Sequence, residues 1–177
     1  MRRIVMGHDS AGQPCVLSDT VVDPVTVAML PGAEIHRMWE LDDIPKLPVT
    51  DPQEGVEHTF FPPTAGVRFG FLTVPPGLSY VPPEGTPSEV LEAAAAEAEQ
   101  KLPGMASTFD PQQPGSHTTP TVDYIVALSG QGLMTVRDGI EVRMNAGDCL
   151  IQNGTPHGWF NDSDAPFVVA YTLVGAR

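Results

Sequence analysis

Cysteine is scarce in this chain, which has only Cys15 and Cys149 among 177 residues. Two cysteines cannot form the disulfide framework that holds small secreted domains together. We therefore expect both to be buried free thiols of a protein in a reducing cytoplasm.

Basic residues are also few. The chain has 9 lysines and arginines against 22 aspartates and glutamates, which gives a formal charge of −13 at pH 7. A surface that binds nucleic acid or anionic lipid needs clustered cations. The charge balance therefore argues against both kinds of partner, and it says nothing direct about the substrate.

Long apolar runs and several catalytic motifs are missing as well. No stretch approaches the roughly 18 apolar residues of a membrane span. Residues 1–7 begin like a secretory signal, but no apolar run follows them. The sequence has neither a Gly-rich phosphate loop nor a Gly-x-Ser-x-Gly elbow, so it gives no support for nucleophilic catalysis. We expect a cytoplasmic protein.

Glycine and proline are abundant instead, with 17 and 19 residues, and only 18% of the chain is charged. This composition is typical of an all-β chain with many turns, and the length suits one domain. We expect N-terminal strands and loops over residues 1–66 and the core over residues 67–177. Strands are predicted over residues 3–6, 15–18, 25–30, 33–41, 67–74, 121–128, 132–137, 141–144, 149–152, 157–160 and 167–174, with a loop over residues 42–55 and a hairpin turn at Asp138-Gly139.

One helix is predicted over residues 86–101, as an insertion in the core. Thr86 is the expected N-cap, Pro87 takes the first helical position, and Glu89 completes a capping box. Val90 and Leu91 are the expected apolar anchors. The insertion is either a decoration on the flank of the sheets or a lid or dimer element. Met105 and Phe109, which follow it, are candidates for a pocket wall.

Chemically active side chains recur every second residue before and within the strand over residues 121–128. An extended chain has a side-chain period of two, so His117, Thr119, Thr121 and Asp123 point the same way. The opposite face, which we expect to pack against a second layer, carries Tyr124, Val126 and Leu128.

A second group of such residues lies near the end of the chain. His157, Trp159 and Asn161 share one face of a short strand. If both segments line one cavity, they bring together two imidazoles, a carboxylate, a hydroxyl and an indole. That set suits either a metal site or an acid–base site.

Residues 115–161 resemble the double motif of the cupin family. In the first motif, Asp123, six further residues and Gly130 match the second half, and His117-Thr118-Thr119 stands where the family has His-x-His. In the second motif, Gly147 is followed by Gln152-Asn153-Gly154, then His157 and, after three residues, Asn161. Gln152 replaces the family's proline, and the spacing after Gly147 is one residue shorter.

The resemblance implies a double-stranded antiparallel β-barrel, or jelly roll, with one inserted helix. Cupins with a metal usually hold it with three histidines and a glutamate. Here the matching positions leave His117, Asp123 and His157 as ligands for one divalent iron, zinc, manganese or nickel ion, because Thr119 is a poor ligand. Aspartate is also shorter than glutamate, so a degenerate site without metal is the alternative.

The function implied is a metal-dependent enzyme acting on a small organic molecule, with dioxygenase, isomerase, cyclase or lyase chemistry. Asp123 is then also the candidate catalytic residue, and Thr119, Gln152 and Trp159 are candidate substrate contacts. Two alternatives stay open: a metal-free binding or sensing protein, and metal-free acid–base catalysis by a buried Asp123 with a histidine partner. Asn161 is expected to brace its turn. We also expect a homodimer, with the N-terminal strands covering a partner.

Overall fold

The computed structural model describes residues 1–52, 58–78, 81–136 and 139–177. It has ten strands and one α-helix within those ranges. They are β1 (Arg2–His8), β2 (Pro14–Val21), β3 (Glu34–Leu41), β4 (Val67–Val74), α1 (Ser88–Lys101), β5 (Thr121–Ser129), β6 (Gln131–Val136), β7 (Ile140–Asn145), β8 (Cys149–Asn153), β9 (His157–Phe160) and β10 (Phe167–Gly175), with a 3-10 turn at Ala106–Thr108.

The strands form three antiparallel sheets. The largest has the order β3-β4-β10-β5-β8, and a second has the order β7-β6-β9. Strands β1 and β2 pair with each other in the predicted N-terminal hairpin. The predicted antiparallel β fold with one inserted helix is confirmed. Among the described strands, the hydrogen bonds do not join the two larger sheets into one continuous barrel.

The two larger sheets share one hydrophobic core. Strand β10 lies at the centre of the five-stranded sheet, between β4 and β5, and its residues alternate between buried and half-buried positions. Its buried residues Phe167, Val169, Tyr171 and Leu173 pack in one cluster with Met134 and Trp159 of the smaller sheet. The strand predicted over residues 167–174 is confirmed, and its alternation fixes which face of β5 turns inward.

Helix α1 begins two residues later than predicted. Pro87 is the N-cap, no side chain caps the helix, and the Thr86 hydroxyl donates to the Pro83 carbonyl instead. Val90 and Leu91 are exposed, so the prediction that they anchor the helix is wrong. The buried anchors are Ala98 and Leu102, which join the core at the helix end. No helix of the described ranges is long and apolar enough to cross a lipid bilayer.

The outer face of the five-stranded sheet also differs from expectation. Tyr124, Val126 and Leu128 were predicted to pack against a second layer, but they are 51%, 39% and 49% exposed. The smaller sheet covers only the inner face, so nothing in the described chain lies over these three side chains. The outer face of β5 is therefore an exposed apolar surface.

One short strand, the burial of the cysteines and one turn were also predicted from the sequence. Residues 25–30 form no strand, because Val25 makes only an isolated bridge with Ile35. Both cysteines are free, but Cys149 is exposed on the edge strand β8 and Cys15 is half-buried, so the prediction that both are buried is wrong. Some predicted positions lie outside the described residues, namely Asp138 of the turn, Arg137 before it and residues 53–55 of the loop. Strands β6 and β7 pair on either side of that turn, up to Val136 and Ile140.

Candidate functional site

A cavity opens between the two larger sheets and contains about 700 Å³ of empty space, its mouth included. All but one of the predicted site residues line it, the exception being Gln152. The lining residues are Leu30, Ile35, Phe60, Phe61, Leu72, Met105, Thr108, Phe109, His117, Thr119, Asp123, Ile125, His157, Trp159, Val169, Tyr171 and Leu173.

Asp123 reaches the cavity because β5 alternates strictly. Thr121, Asp123 and Ile125 are buried on the inner face, whereas Tyr124 between them is exposed. Asp123 is 3% exposed, and its Oδ1 atom has no hydrogen-bond partner. Burial raises the pKa of this carboxyl to about 6, and a hydrogen bond from Thr121 only partly offsets the shift. A buried carboxyl oxygen without a partner is costly, which makes Asp123 a candidate functional residue.

His117 and His157 lie side by side. Their backbones form a bridge, in which His117 N donates to the His157 carbonyl at 2.9 Å and His157 N donates back at 3.0 Å. The two ring centroids are 4.3 Å apart. Burial lowers the pKa of His117 to about 3, and the nearby His157 adds to the shift; burial also lowers the pKa of His157. Both imidazoles are therefore neutral at pH 7.

Hydrogen bonds fix the orientation of two of these polar groups. Nδ1 of His157 lies 2.8 Å from the carbonyl oxygen of Thr155. A carbonyl only accepts, so Nδ1 carries the proton and Nε2 has a free lone pair. The hydroxyls of Thr119 and Thr121 are hydrogen-bonded to each other at 2.9 Å, and Thr119 is itself buried at the cavity.

Trp159 and Gln152 have different surroundings. The Trp159 indole lines the cavity and packs edge-on against the His157 ring and tilted against Phe167. Gln152 is buried beside Asp123 in the β5–β8 register, but its carboxamide contacts Met134 Sδ and accepts hydrogen bonds from Thr155. Gln152 therefore holds the turn before His157 and does not contact the cavity.

Asn161 also braces a turn, as predicted. Its Nδ2 donates to the carbonyls of Val74 and Ala165, and its Oδ1 accepts from the Ser163 backbone and hydroxyl.

The rest of the wall is apolar and largely aromatic. Met105 and Phe109 line it, as the sequence predicted, and the Phe109 ring lies 5.2 Å from that of His117. Phe60 and Phe61 were not predicted, and an apolar dipeptide before two prolines gives no signal that would place them here. Tyr171 and Leu173 could have been found, since they alternate inward along β10.

A buried arginine holds the Phe60–Phe61 wall in place. Arg68 is 2% exposed; its Nε donates to the Thr59 carbonyl at 2.9 Å and Nη1 donates to the Leu41 carbonyl at 2.8 Å. Its Nη2 meets the Asp42 carboxylate at 2.6 Å. Phe60 N also donates to the Pro103 carbonyl, which joins this wall to the end of α1.

The part of the chain that carries the polar cavity residues matches a known family. Residues 106–174, which carry every polar residue of the described cavity lining, match the family model described as "Cupin domain". This part of the chain is a cupin domain.

Two curated fungal proteins and a solved structure are similar to the chain. Phomopsin biosynthesis cluster protein C′ of Diaporthe leptostromiformis is 23% identical over 161 residues, 91% of this chain and 70% of that protein. Oryzines biosynthesis cluster protein J of Aspergillus oryzae is 36% identical over 66 residues, 37% of each chain. The crystal structure of a predicted oxalate decarboxylase of Thermotoga maritima is 14% identical, covers 90% of this chain and 98% of its own, and has a TM-score of 0.49.

The cupin metal site needs several ligands that converge on one point. In the described part of the chain, no group of three or more histidine, cysteine, aspartate or glutamate side chains is arranged to hold a metal ion. His117 and His157 lie together, but Asp123 does not complete a ligand set with them. Thr119 has no imidazole that could serve as the third ligand in place of Asp123. The residues present therefore do not fit the metal that the family resemblance implies.

Proposed function

We propose that this cupin is an enzyme that catalyses proton transfer on a small, neutral, largely apolar organic molecule, with Asp123 as the acid–base group. The observation that carries the proposal is the buried Asp123 carboxyl, which has an unpaired oxygen in an otherwise apolar cavity beside neutral imidazoles. A pKa of about 6 suits a group that accepts and returns protons near neutral pH.

The charge of the cavity limits the substrate. Its described lining contains neither lysine nor arginine, and both histidines are neutral. A carboxylate or phosphate ester would enter without a cation to pair with it and would face Asp123. A neutral substrate avoids that penalty. The names of the two curated relatives, both biosynthesis cluster proteins, support a small organic molecule as well.

Proton abstraction next to a carbonyl is the simplest reaction that this arrangement supports. The Asp123 carboxylate takes a proton from the carbon, and the C–H electron pair moves to form the enolate. The same carboxyl can pass this proton to the enolate oxygen, which gives the neutral enol, or return it to carbon, so no oxidant, reductant or metal is consumed. Burial between apolar walls strengthens the electrostatic interactions of the carboxylate with the substrate.

Hydrogen–deuterium exchange of 2-tetralone tests the proposal directly. This ketone is neutral, aromatic and enolisable at C1. We expect the protein to accelerate loss of the C1 proton signal in D₂O above the buffer rate, as followed by proton NMR. The acceleration should persist after dialysis against EDTA, because the proposed step needs no metal.

The same experiment separates the alternatives. Loss of exchange on chelation, with recovery on adding one divalent metal, would establish the metal-dependent enzyme instead. Binding of 2-tetralone without any acceleration would contradict catalysis and support a binding or sensing protein. Elemental analysis of the protein before and after dialysis shows whether chelation removed a metal.

We also propose that the chain forms a homodimer through the exposed outer face of the five-stranded sheet. The outward residues of β10, β5 and β8 include no charged side chain, although the whole chain carries a formal charge of −13. A second copy, equally acidic elsewhere, would meet least repulsion through this face.

Replacing Val126 by Lys on that face tests the assembly. The wild-type protein should sediment as a dimer at micromolar concentration and V126K as a monomer, because two buried lysines would face each other. The control is Ile140→Lys, an exposed position on the other sheet. A monomeric wild-type protein, or a dimer unaffected by V126K, would contradict the proposal.

A further inference from the structure

Two side chains of the described lining present a hydrogen-bond acceptor whose identity is fixed, and His117 adds an imidazole whose Nδ1 has no partner there. Nδ1 of His157 is occupied by the Thr155 carbonyl, which leaves Nε2 as the only remaining hydrogen-bonding atom of that ring, and as an acceptor. Oδ1 of Asp123 has no partner. Both side chains are nearly fully buried and line the same cavity. A ligand that satisfies them must therefore bring a donor.

The walls around these polar side chains select the body of the ligand. Five aromatic side chains of the described residues line the cavity, namely Phe60, Phe61, Phe109, Trp159 and Tyr171. Aromatic rings pack favourably on one another in offset or edge-on geometries. The described lining offers no cation for an anionic group. The cavity therefore suits a flat, uncharged ring system.

We propose that the cavity binds a neutral aromatic molecule through a hydroxyl group that donates its hydrogen to Nε2 of His157, as a phenol or the enol of an aromatic ketone does. The inference rests on the proposed function, since the enol is the species that proton transfer next to a carbonyl forms. It adds that the site is complementary to the enol rather than to the ketone, which has no donor for His157.

Three naphthalenes of the same ring size test this preference. 2-Naphthol resembles the enol of 2-tetralone, 2-methoxynaphthalene lacks the donor, and 2-naphthoate carries a negative charge. Titration calorimetry at pH 7 should show 2-naphthol binding at least about tenfold more tightly than 2-methoxynaphthalene, because the ether leaves the buried Nε2 acceptor of His157 unpaired. 2-Naphthoate should show no measurable binding.

A substitution at His157 tests whether this side chain causes the preference for 2-naphthol over 2-methoxynaphthalene. His157→Leu should bring the affinities for 2-naphthol and 2-methoxynaphthalene to within about twofold of each other, because it removes the acceptor. His8→Leu, on the N-terminal hairpin away from the cavity, is the matched control and should keep the wild-type ratio. If H157L does not fold, the nitrogen-15 shift of His157 Nε2 in the wild-type protein replaces it and should move when 2-naphthol is added.

The outcomes separate this inference from the proposed function. Equal affinity for 2-naphthol and its methyl ether, or tighter binding of 2-naphthoate, would overturn the inference even if 2-tetralone exchange were catalysed. A clear preference for 2-naphthol without any exchange of 2-tetralone would support the ligand class and overturn the proton-transfer function.

Discussion

Asp123→Asn should reduce the exchange of 2-tetralone by about 100-fold or more while leaving the protein folded. Asparagine keeps the size of the side chain but cannot take a proton from carbon, and a positioned acid–base group contributes roughly 10²–10⁴ to a rate. Binding of 2-naphthol should weaken far less than the exchange rate, because the amide oxygen still accepts a hydrogen bond. The measurements are exchange rates by NMR and affinities by calorimetry.

Exchange by the wild-type protein should rise with pH and level off above an apparent pKa of about 6, since the carboxylate is the base. Asp164→Asn, an exposed position, is the matched control and should leave both the rate and the pH profile unchanged. If D123N keeps more than a tenth of the wild-type exchange rate, Asp123 is not the base of the reaction.

Stability should move in the opposite direction to activity. The pKa of Asp123 is raised from 3.8 to about 6 on folding, so the folded state binds more protons than the unfolded state between these pH values. Its contribution to the free energy of unfolding therefore falls as pH rises through this window, by on the order of 3 kcal/mol in total. Asn cannot ionise, so urea denaturation at pH 7 should find D123N no less stable than wild type.

The alternation of β5 explains why much of the site could be predicted from the sequence. A period of two is local, so Asp123, Thr121 and Ile125 had to share a face that Tyr124 could not join. The pairing of His117 with His157 came from the cupin motifs, because 40 residues separate them and no local rule brings them together. The motif did not show that, in the described part of the chain, no third ligand completes a metal-binding group with His117 and His157, because that depends on side-chain geometry.

Other features depended on contacts that the sequence does not show. Gln152 stands at a motif position, yet its carboxamide is taken up by Thr155 and Met134. The inward face of α1 is set by where the helix end meets the core, so Ala98 is buried and Leu91 is not. Phe60 lies in the cavity wall because Arg68 of β4 donates a hydrogen bond to the carbonyl of Thr59, the residue before Phe60.

Arg68→Met should cost about 3 kcal/mol of the free energy of unfolding and should weaken 2-naphthol binding. Methionine fills most of the buried space but leaves the carbonyls of Leu41 and Thr59 without their donors. Each buried acceptor that loses its partner costs about 1–3 kcal/mol. Asp42 is half exposed and can regain water, so the ion pair itself adds little to this loss.

Arg143→Met provides the matched control. Arg143 makes a bidentate pair with Asp162, but both side chains are about half exposed, so its removal should cost less than about 1 kcal/mol. Urea denaturation measures both variants. Arg68→Lys should recover only part of the loss, because one ammonium cannot reach carbonyls that a planar guanidinium spans. Should R68M lose no more stability than R143M and bind 2-naphthol as wild type does, Arg68 does not hold the Phe60–Phe61 wall.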